Sequence, residues 1–463
     1  MQQDTICAVS TAPGVGGIAV IRVSGSDSIA LVDKIFKPHK EGNSLASRKA
    51  YTISYGQIVN PTTGDVLDDV VISLFRAPHS FTSEDTVEIA CHGSLYIQQQ
   101  LMQLLIEQGC RTALPGEFTQ RAFLSGRMDL SQAEAVADLI SSTSAATHKL
   151  AMNQMRGAFS NELISLRAEL LQLTSMIELE LDFSEEEVEF ADREELRSLA
   201  DRIYTLISKL ANSFSVGNAL KNGIPVAIVG ETNAGKSTLL NVLLKEERAI
   251  VSDIHGTTRD VIEDTINLGG LTFRFIDTAG IRDTQDKIES MGIELTFRKL
   301  EQASIVIWMV DSSQDEAAIK QLAERLLPKI TTQKLMVVFN KIDKIDDTKK
   351  ASLATLIPDA ECLFISAMNQ TNTDELEAAL VRTAAIPQIS ASDVIVTNAR
   401  HYEALVRAKA AIARVQDGLQ ANISGDFLSQ DIRECMHYLG EITGQINNDE
   451  ILGNIFLNFC IGK

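Results

Sequence analysis

The stretch GETNAGKS at residues 230–237 fits the pattern GxxxxGK[ST] and lies between an apolar run, IPVAIV, and a helix-like segment, STLLNVLL. In a strand–loop–helix of this kind, the backbone N–H groups of the loop point at phosphates, and the helix N-terminus adds positive potential. Lys236 would reach the β- and γ-phosphates, and the Ser237 hydroxyl would hold Mg²⁺. The stretch therefore predicts a nucleotide-binding α/β domain.

Four more short apolar runs follow this loop, with helical spacers between them. Runs of this length that alternate with helices indicate βαβ units and a mostly parallel sheet. Together with IPVAIVG (224–230), the predicted strands are LTFRFIDTAG (271–280), SIVIWMVDSS (304–313), KLMVVFNKID (334–343) and ECLFISAM (361–368).

The ends of three of these runs carry residues suited to a guanine nucleotide. Asp277 of DTAG would hold Mg²⁺ through water, and the Gly280 amide would contact the γ-phosphate. Asp343 of NKID would accept hydrogen bonds from guanine N1–H and the exocyclic amino group, a pair that adenine lacks. Residues 366–368, Ser-Ala-Met, would contact the guanine oxygen through their backbone. A general ATPase, the alternative, leaves Asp343 without a role, so we predict a GTP-binding domain.

The residue after DTAG is Ile281, at the position where Ras-like enzymes place a glutamine that orients the attacking water. Another group must therefore position the water, and the segments 252–260 and 282–289 are the candidates. Thr258 is placed to ligate Mg²⁺ when its loop closes over the γ-phosphate. Arg259 would either stabilise developing charge or form a structural ion pair, and the sequence leaves both open.

Two proline-free regions flank this domain, and the first 120 residues differ from both. The early segments GGIAVIRVSG (16–25) and DDVVISLFRAP (68–78) are strand-like and turn-rich, which indicates an α+β domain. The flanking regions are rich in Ala, Leu, Gln and Glu at helical spacing. The predicted helical segments are 130–155, 161–183, 401–421 and 428–446. We predict four segments: an α+β domain (1–120), a helical domain in two halves (121–218 and 385–463), and an inserted G domain (219–384).

Composition excludes several other classes of protein. The 463 residues include 42 Lys+Arg and 62 Asp+Glu, a net charge of −20, which disfavours polyanion binding by the whole surface but not by a local basic patch. Six cysteines without a CxxC pair argue against structural zinc or a disulfide framework. No apolar run is long enough for a membrane span, and no signal peptide is evident. We therefore expect a cytoplasmic, multidomain protein with no membrane partner.

Several motifs resemble known families. GETNAGKST, SDIHGTTRD and DTAGIR are similar to the TrmE/Era-type GTPases. SFTSEDTVEIACHG (80–93), PGEFTQRAFLSGRMDLSQAEA (115–135) and NFCIGK (458–463) resemble the MnmE (TrmE) family of tRNA modification GTPases, and the resemblance runs end to end. It implies a tetrahydrofolate-binding-like α+β N-terminal domain, an all-α helical domain, and a Ras-like P-loop G domain inserted into the helical domain.

The resemblance also implies potassium-activated GTP hydrolysis. A cation between the phosphates can offset charge that an arginine finger would otherwise stabilise. Glu289 matches the glutamate of the family that orients water, and it acts with Asp277 and Lys236 as the catalytic set. Mg²⁺ is assigned to Ser237 and Thr258. The implied K⁺ ligands are Asn233, Ser252, Ile254 and Thr257.

The full GTP-contacting set is larger, and its members are the residues of the phosphate loop, the following loop, DTAG, NKID and the Ser-Ala-Met loop. They are Asn233, Ala234, Gly235, Lys236, Ser237, Thr238, Ser252, Asp253, Ile254, His255, Gly256, Thr257, Thr258, Asp277, Thr278, Ala279, Gly280, Asn340, Lys341, Asp343, Ser366, Ala367 and Met368.

For the N-terminal domain, the resemblance implies a bound 5-formyl- or methylene-tetrahydrofolate. Arg22, Glu88 and Arg127 fall on matching positions, and Lys463 of the terminal CIGK is a further contact. Without the resemblance, the two arginines would be surface cations and Glu88 a carboxylate on a strand face.

The implied function is a GTPase that works with an FAD-dependent MnmG/GidA-family subunit. A homodimer would join this partner in a heterotetramer that adds an aminomethyl or carboxymethylaminomethyl group to C5 of the wobble uridine in certain tRNAs. The alternatives are an Era-like GTPase that acts as a switch in ribosome assembly or regulation, and a folate aminomethyltransferase with a regulatory G domain. An Era-like protein should carry a basic RNA-binding module after the G domain, and the sequence there is not strongly basic.

Overall fold

The computed structural model describes most of the chain, and the residues fall into two compact units. One unit comprises residues 1–141, 151–208 and 403–463, and the other comprises 142–150 and 209–402. The described residues are 4–39, 44–182, 193–247, 264–276, 302–357, 360–385, 393–421, 423–446, 449–457, 459 and 462. None of the helices in these ranges is long and apolar enough to cross a membrane.

The first unit begins with a seven-stranded sheet of spatial order β3-β4-β5-β6-β2-β1-β7. All its strand pairs are antiparallel except β1 with β7. The strands are β1 (Ile6–Val9), β2 (Gly16–Ser24), β3 (Phe36–Pro38), β4 (Thr52–Val59), β5 (Val66–Phe75), β6 (Thr86–Gly93) and β7 (Arg111–Thr112).

The two faces of this sheet differ because side chains alternate along each strand. One face carries Ile21, Ile72 and Ile89, which are buried with the helix Leu95–Glu107 in one apolar core. The opposite face, which we call the outer face, carries Arg22 and Glu88; it is partly exposed over β4, β5 and β6, but its β1 part is buried against Phe118. The strand-like segments predicted for the first 120 residues therefore form one sheet.

Helices make up most of the remaining described chain. The segment predicted over 130–155 is two helices, because Ser142–Ser144 interrupts it and the side chains of Ser144 and Thr147 cap the second helix. The helices are α1 (Ser28–Asp33), α2 (Leu95–Glu107), α3 (Glu117–Leu124), α4 (Leu130–Ser141), α5 (Ala145–Met155), α6 (Ala158–Asp182), α7 (Arg193–Asn222), α8 (Lys236–Glu247), α9 (Glu316–Leu326), α10 (Asp347–Ala354), α11 (Thr373–Ala384), α12 (Ala399–Gln420), α13 (Gly425–Thr443) and α14 (Asp449–Leu457).

The second unit contains a six-stranded sheet of order β13-β12-β11-β8-β10-β9. Every pair is parallel except the β9–β10 hairpin, so the predicted mostly parallel sheet is confirmed. Its strands are β8 (Ile224–Val229), β9 (Asp264–Leu268), β10 (Leu271–Phe275), β11 (Ile305–Asp311), β12 (Lys334–Asn340) and β13 (Glu361–Phe364). Five of them were predicted, whereas the short edge strand β9 was not.

The helical halves on either side of the inserted domain pack together, as the insertion predicts. Helix α6 from before the insertion lies along α13 from after it. The fold class is thus α+β, all-α and inserted α/β, as predicted. The four domain boundaries given above stay a prediction.

A network of buried charges joins the SFTSED and PGEF motifs in the first unit. Arg121 on α3 forms ion pairs with Glu84 at 3.1 Å and with Glu117 at 3.0 Å, and its side chain is only 10% exposed. Glu117 also accepts hydrogen bonds from Arg111 and from the Leu114 N–H. This network holds the loop before β6 against α3, so these motif residues have a structural role.

Replacing Arg121 with alanine should destabilise the first unit by about 3 kcal/mol, because it removes the cation that two nearly buried carboxylates, Glu84 and Glu117, share. Circular dichroism should show an earlier denaturant transition. Trp308, the single tryptophan, lies in β11 of the second unit, so the denaturant midpoint that its fluorescence reports should not change. Arg433→Ala is the matched control, since the Arg433–Glu178 pair is 64% and 50% exposed. An equal effect of both substitutions would contradict the prediction.

The same network should weaken in acid. Burial acts to raise the pKa of Glu117, but the bonds from Arg111, the Leu114 N–H and Arg121 outweigh it and hold the pKa below its ordinary value. Because the pKa is lower in the folded state, this stabilisation is complete above the unfolded pKa of about 4.3. It is lost as the pH falls through the folded pKa.

Candidate functional site

The loop at 230–237 is built around two glycines that no other residue could replace without a shift. Gly230 has φ +149°, and a Cβ there would lie 2.2 Å from the Met309 carbonyl oxygen. Gly235 has φ +101°, and a Cβ there would lie 2.2 Å from Asn340 Nδ2. The loop therefore passes directly against the ends of β11 and β12, with its backbone at the carboxyl edge of the sheet.

Lys236 opens α8 and turns back over this loop. Its Nζ donates hydrogen bonds to the carbonyl oxygens of Gly230 and Glu231, both at 2.7 Å. The ammonium is thus held over the loop, where it can exchange these carbonyls for phosphate oxygens. Ser237 follows in the first turn of α8, where a hydroxyl can ligate Mg²⁺.

Asn233 is one of three consecutive exposed residues of the loop, 231–233, and has φ +63°, the left-handed region that asparagine tolerates. Thr238 is also exposed, on the first turn of α8.

Asn340 links the phosphate loop to the loop after β13. Its Nδ2 donates to the Ala234 carbonyl at 2.8 Å, and its Oδ1 accepts from the Ala367 N–H at 2.9 Å. Asn340 is only 3% exposed. Both of its polar groups are used on backbone atoms, so it holds two nucleotide-binding loops together.

Asp343 is oriented by the Ser-Ala-Met loop. The Ser366 hydroxyl donates to Asp343 Oδ1 at 2.6 Å, which fixes the plane of the carboxylate. Lys341 has φ +64°, and its Nζ donates to Asp311 Oδ2 at 2.6 Å. Burial acts to raise the pKa of Asp311, but hydrogen bonds from Lys341 and Ser313 lower it below its usual value. Met368 ends the loop, 86% exposed.

These contacts bring the predicted phosphate loop, NKID and Ser-Ala-Met loop together at one edge of one sheet. In open parallel sheets, ligands bind outside the carboxyl ends of the strands. The phosphate side of the edge offers backbone amides, an ammonium and a hydroxyl, whereas the base side offers an oriented carboxylate. This donor set fits a guanine nucleotide with Mg²⁺.

A second predicted set lies on the outer face of the first unit. Arg22 and Glu88 stand opposite each other on β2 and β6, and Arg22 Nε and Nη2 donate to Glu88 Oε1 at 3.0 and 2.8 Å. The guanidinium lies 5.3 Å from the Phe81 ring centre and 5.6 Å from that of Phe118. The pair is partly exposed, 19% and 28%. Arg127 follows α3 and is exposed.

A partly exposed carboxylate and cation on one sheet face fit the hydrogen-bonding edge of a pterin. The two aromatic rings were not predicted, although each lies in a motif quoted above: Phe81 in SFTSED and Phe118 in PGEF. Both rings lie against the guanidinium that pairs with Glu88, an arrangement that no local sequence pattern encodes.

Several predicted site residues lie outside the described residues. They are Ser252, Asp253, Ile254, His255, Gly256, Thr257, Thr258, Asp277, Thr278, Ala279, Gly280, Glu289 and Lys463.

Comparison with protein families accounts for almost the whole chain. The family model "MnmE helical domain" matches residues 130–460, and "GTP-binding protein TrmE N-terminus" matches residues 5–127. The chain belongs to the MnmE family. The range 130–460 includes the inserted sheet unit and both helical flanks, so the resemblance inferred from the motifs is confirmed.

Curated MnmE relatives match over their full length. The "tRNA modification GTPase MnmE" of Bacteroides thetaiotaomicron is 62% identical over 468 residues and covers 100% of both chains. That of Parabacteroides distasonis is 59% identical and covers 99% of this chain and 100% of its own. Among solved structures, Era from Aquifex aeolicus covers 40% of this chain and 66% of its own, with 27% identity and a TM-score of 0.28.

Proposed function

We propose that this chain is a GTP hydrolase that acts in tRNA modification. With an FAD-dependent MnmG/GidA-family partner, it would add an aminomethyl or carboxymethylaminomethyl group to C5 of the wobble uridine. The observation that carries the proposal is the edge of the second sheet, where Asp343, fixed by Ser366, lies in the same loop cluster as Lys236. Membership of the MnmE family connects that GTP site to tRNA. We place this activity in the cytoplasm.

In this proposal, hydrolysis depends on K⁺. Asn233 supports it, because its side chain is exposed in the phosphate loop, where an amide oxygen can ligate a cation beside the phosphates. Ser252, Ile254 and Thr257 would complete the ligand set, and Glu289 would orient water. Mg²⁺ would be held by Ser237 and Thr258. The cations would supply charge stabilisation at the phosphates, while Lys236 and the loop amides would hold the phosphate chain.

The N-terminal domain would hold a tetrahydrofolate derivative. The Arg22–Glu88 pair supports this, since its carboxylate can accept hydrogen bonds from a pterin edge and its cation is fixed by two rings. Arg127 and Lys463 would bind the glutamate tail. The folate supplies a one-carbon unit when bound, and the residues of this chain orient it.

A homodimer is also part of the proposal, with its contact on the outer face. Ile53 and Tyr55 on β4, two strands away from β6, are 72% and 56% exposed. Contiguous exposed apolar side chains of this kind mark interaction surfaces. A pair of chains would then present two sites to the partner subunit and to tRNA.

The decisive experiment is nucleoside mass spectrometry of tRNA from cells that lack this protein. Loss of the 5-aminomethyl-type wobble uridines is expected, with recovery on return of the wild-type gene but not of Lys236→Ala. Lys236→Ala removes the only side-chain cation described over the loop carbonyls. Lys320→Ala, an exposed lysine on α9, is the control and should restore the nucleosides fully. An unchanged nucleoside profile in the deletion strain would refute the tRNA role and leave the Era-like alternative.

A further inference from the structure

Asp311, the last residue of β11, is not among the site residues predicted from sequence. Its Oδ2 accepts a hydrogen bond from Lys341 Nζ at 2.6 Å. The side chains of Asp311 and Lys341 are 16% and 26% exposed, so the ion pair is largely shielded from water. Burial acts to raise the pKa of Asp311, but the bonds from Lys341 and Ser313 lower it below its usual value. The carboxylate is therefore charged at neutral pH.

The strand order places this ion pair between the base side and the phosphate side of the nucleotide site. β11 lies between β12, which leads into NKID, and β8, which leads into the phosphate loop. Neighbouring strands are about 4.8 Å apart, so β12 and β8 are about 10 Å apart. A nucleotide held at Asp343 by its base and at Lys236 by its phosphates must therefore cross the end of β11. Asp311 and Lys341 stand at that crossing.

The turn that carries Asp311 is held in place without the Lys341 ammonium. Asp311 Oδ1 accepts hydrogen bonds from the N–H and the hydroxyl of Ser313, at 3.0 and 2.6 Å. From α10, Lys349 Nζ donates to the carbonyl oxygens of Ser313 and Gln314, at 3.2 and 2.9 Å. The carboxylate is thus fixed through one oxygen, and its second oxygen is presented to Lys341.

The Asp343 carboxylate is a second anion close to Lys341. It accepts a hydrogen bond from the Ser366 hydroxyl, and it forms no ion pair within the described part of the chain. Lys341 directly precedes the short helical turn Ile342–Lys344 that contains Asp343. A lysine stem is long and flexible, so an ammonium released from Asp311 could turn to Asp343 instead.

An ammonium bound to Asp343 would interfere with base recognition. A carboxylate that is paired with a cation has fewer lone pairs and less charge to offer to the N1–H and amino group of guanine. The Lys341 backbone has φ +64°, a conformation that residues other than glycine and asparagine rarely adopt. Strained backbone of this kind clusters at ligand sites, so the placing of this lysine bears on the nucleotide.

We propose that Asp311 is a positioning residue for guanine recognition, which holds the Lys341 ammonium at the end of β11 and so keeps the Asp343 carboxylate free for the base. The inference rests on the GTP site of the proposed function. With its ammonium at Asp311, the stem of Lys341 lies across the end of β11, where its methylene groups can pack against the nucleoside. Asp311 itself acts through Lys341 and does not touch the base.

An ion pair with a purely structural role would respond differently to substitution. If Asp311 only stabilised its own turn, removal of the Lys341 charge would not compensate for the loss of Asp311. If Asp311 instead keeps the ammonium away from Asp343, removal of that charge should restore base recognition. The double variant Asp311→Asn/Lys341→Met therefore distinguishes the two roles, because methionine keeps an unbranched stem and carries no charge.

The test measures binding of GDP and IDP to the full chain by competition against a fluorescent guanine nucleotide. Inosine lacks the 2-amino group of guanine, so the ratio of the two affinities reports one hydrogen bond to Asp343. Wild type should prefer GDP by about 10- to 100-fold, the range for one hydrogen bond to a charged group. In Asp311→Asn the preference should fall below about threefold, because the carboxylate is then occupied. The double variant should return to within about threefold of the wild-type preference.

Glu361→Gln is the matched control, since it also removes a paired carboxylate from this sheet. Glu361 is the first residue of β13, away from the nucleotide edge, and its pair with Arg382 is 41% and 60% exposed. This variant should keep the wild-type preference. Lys341→Met alone should change the affinities for GDP and IDP by the same factor. Thermal unfolding midpoints from circular dichroism report whether each variant folds.

The outcomes separate the role of Asp311 from the GTP site itself. A folded Asp311→Asn chain with the wild-type preference overturns the positioning role, and so does a loss that Lys341→Met does not reverse. If Asp311→Asn does not fold, Lys341→Met decides alone, because a changed GDP-to-IDP ratio would mean that the ammonium itself reads the base. A wild-type chain that binds GDP no better than IDP overturns base recognition by Asp343, and the role of Asp311 with it.

Discussion

GTP hydrolysis by this chain should fall at least about tenfold when Na⁺ replaces K⁺, and Asn233→Gly should remove most of that difference. In other GTPases, an arginine finger that places a cation at the phosphates raises the hydrolysis rate by about 10³- to 10⁵-fold. The expected loss of rate without the cation is therefore large. Ile281 cannot orient water as the glutamine of Ras-like enzymes does, so the proposal gives that role to Glu289 and charge stabilisation to a bound cation. If the proposed ligands form a site for K⁺, the smaller Na⁺ would be held at fewer of them.

The choice of glycine at residue 233 follows from the backbone. Asn233 has φ +63°, where alanine is strained but glycine is not, so Asn233→Gly removes the side-chain ligand without distorting the loop. Asn218→Ala on α7, an asparagine away from the loop, is the control and should keep its K⁺ response. Turnover should be measured at constant ionic strength in KCl and NaCl. Equal rates in the two salts, or an unchanged K⁺ response in Asn233→Gly, would remove potassium from the mechanism.

The parts of the fold predicted from sequence are those with a strong local pattern. Short apolar runs predicted β8, β10, β11, β12 and β13, because parallel strands are buried on both faces. The edge strand β9, DTINL, has polar residues at alternate positions and is held mainly by its hairpin with β10. Its identity as a strand depends on a partner and not on its own composition.

The site shows the same division between local and distant information. The phosphate loop was predicted residue by residue, since its chemistry is contained in eight consecutive positions. Arg22 and Glu88, 66 residues apart in sequence, were each predicted to bind a folate, but their ion pair with one another was not predicted. The bridging role of Asn340 and the burial of Arg121 between two glutamates were also not predicted. Those roles arise from packing that only the folded chain brings about.

Asp343→Asn should weaken GTP binding by about 10²- to 10⁴-fold and should favour xanthosine triphosphate. In the proposed site the carboxylate would accept two hydrogen bonds from guanine, and hydrogen bonds to a charged group are worth about 1.5–3 kcal/mol each. The Ser366 hydroxyl donates to Oδ1, so the amide of an asparagine there would keep its oxygen toward Ser366 and turn its NH₂ toward the base. That NH₂ would oppose the amino group of guanine, whereas it would donate to the C2 carbonyl of xanthine.

A control for this exchange lies three residues away. Asp346 is the N-cap of α10, where its Oδ1 accepts from the Lys349 N–H at 2.9 Å. Asp346→Asn keeps that cap and removes one negative charge, as Asp343→Asn does. Its GTP affinity should match wild type in competition against a fluorescent guanine nucleotide. If Asp343→Asn also kept GTP affinity and gained none for xanthosine triphosphate, Asp343 would not read the base. The reversal of preference is the sharper result, because a general loosening of the loop weakens both nucleotides, whereas only an oriented amide strengthens one of them.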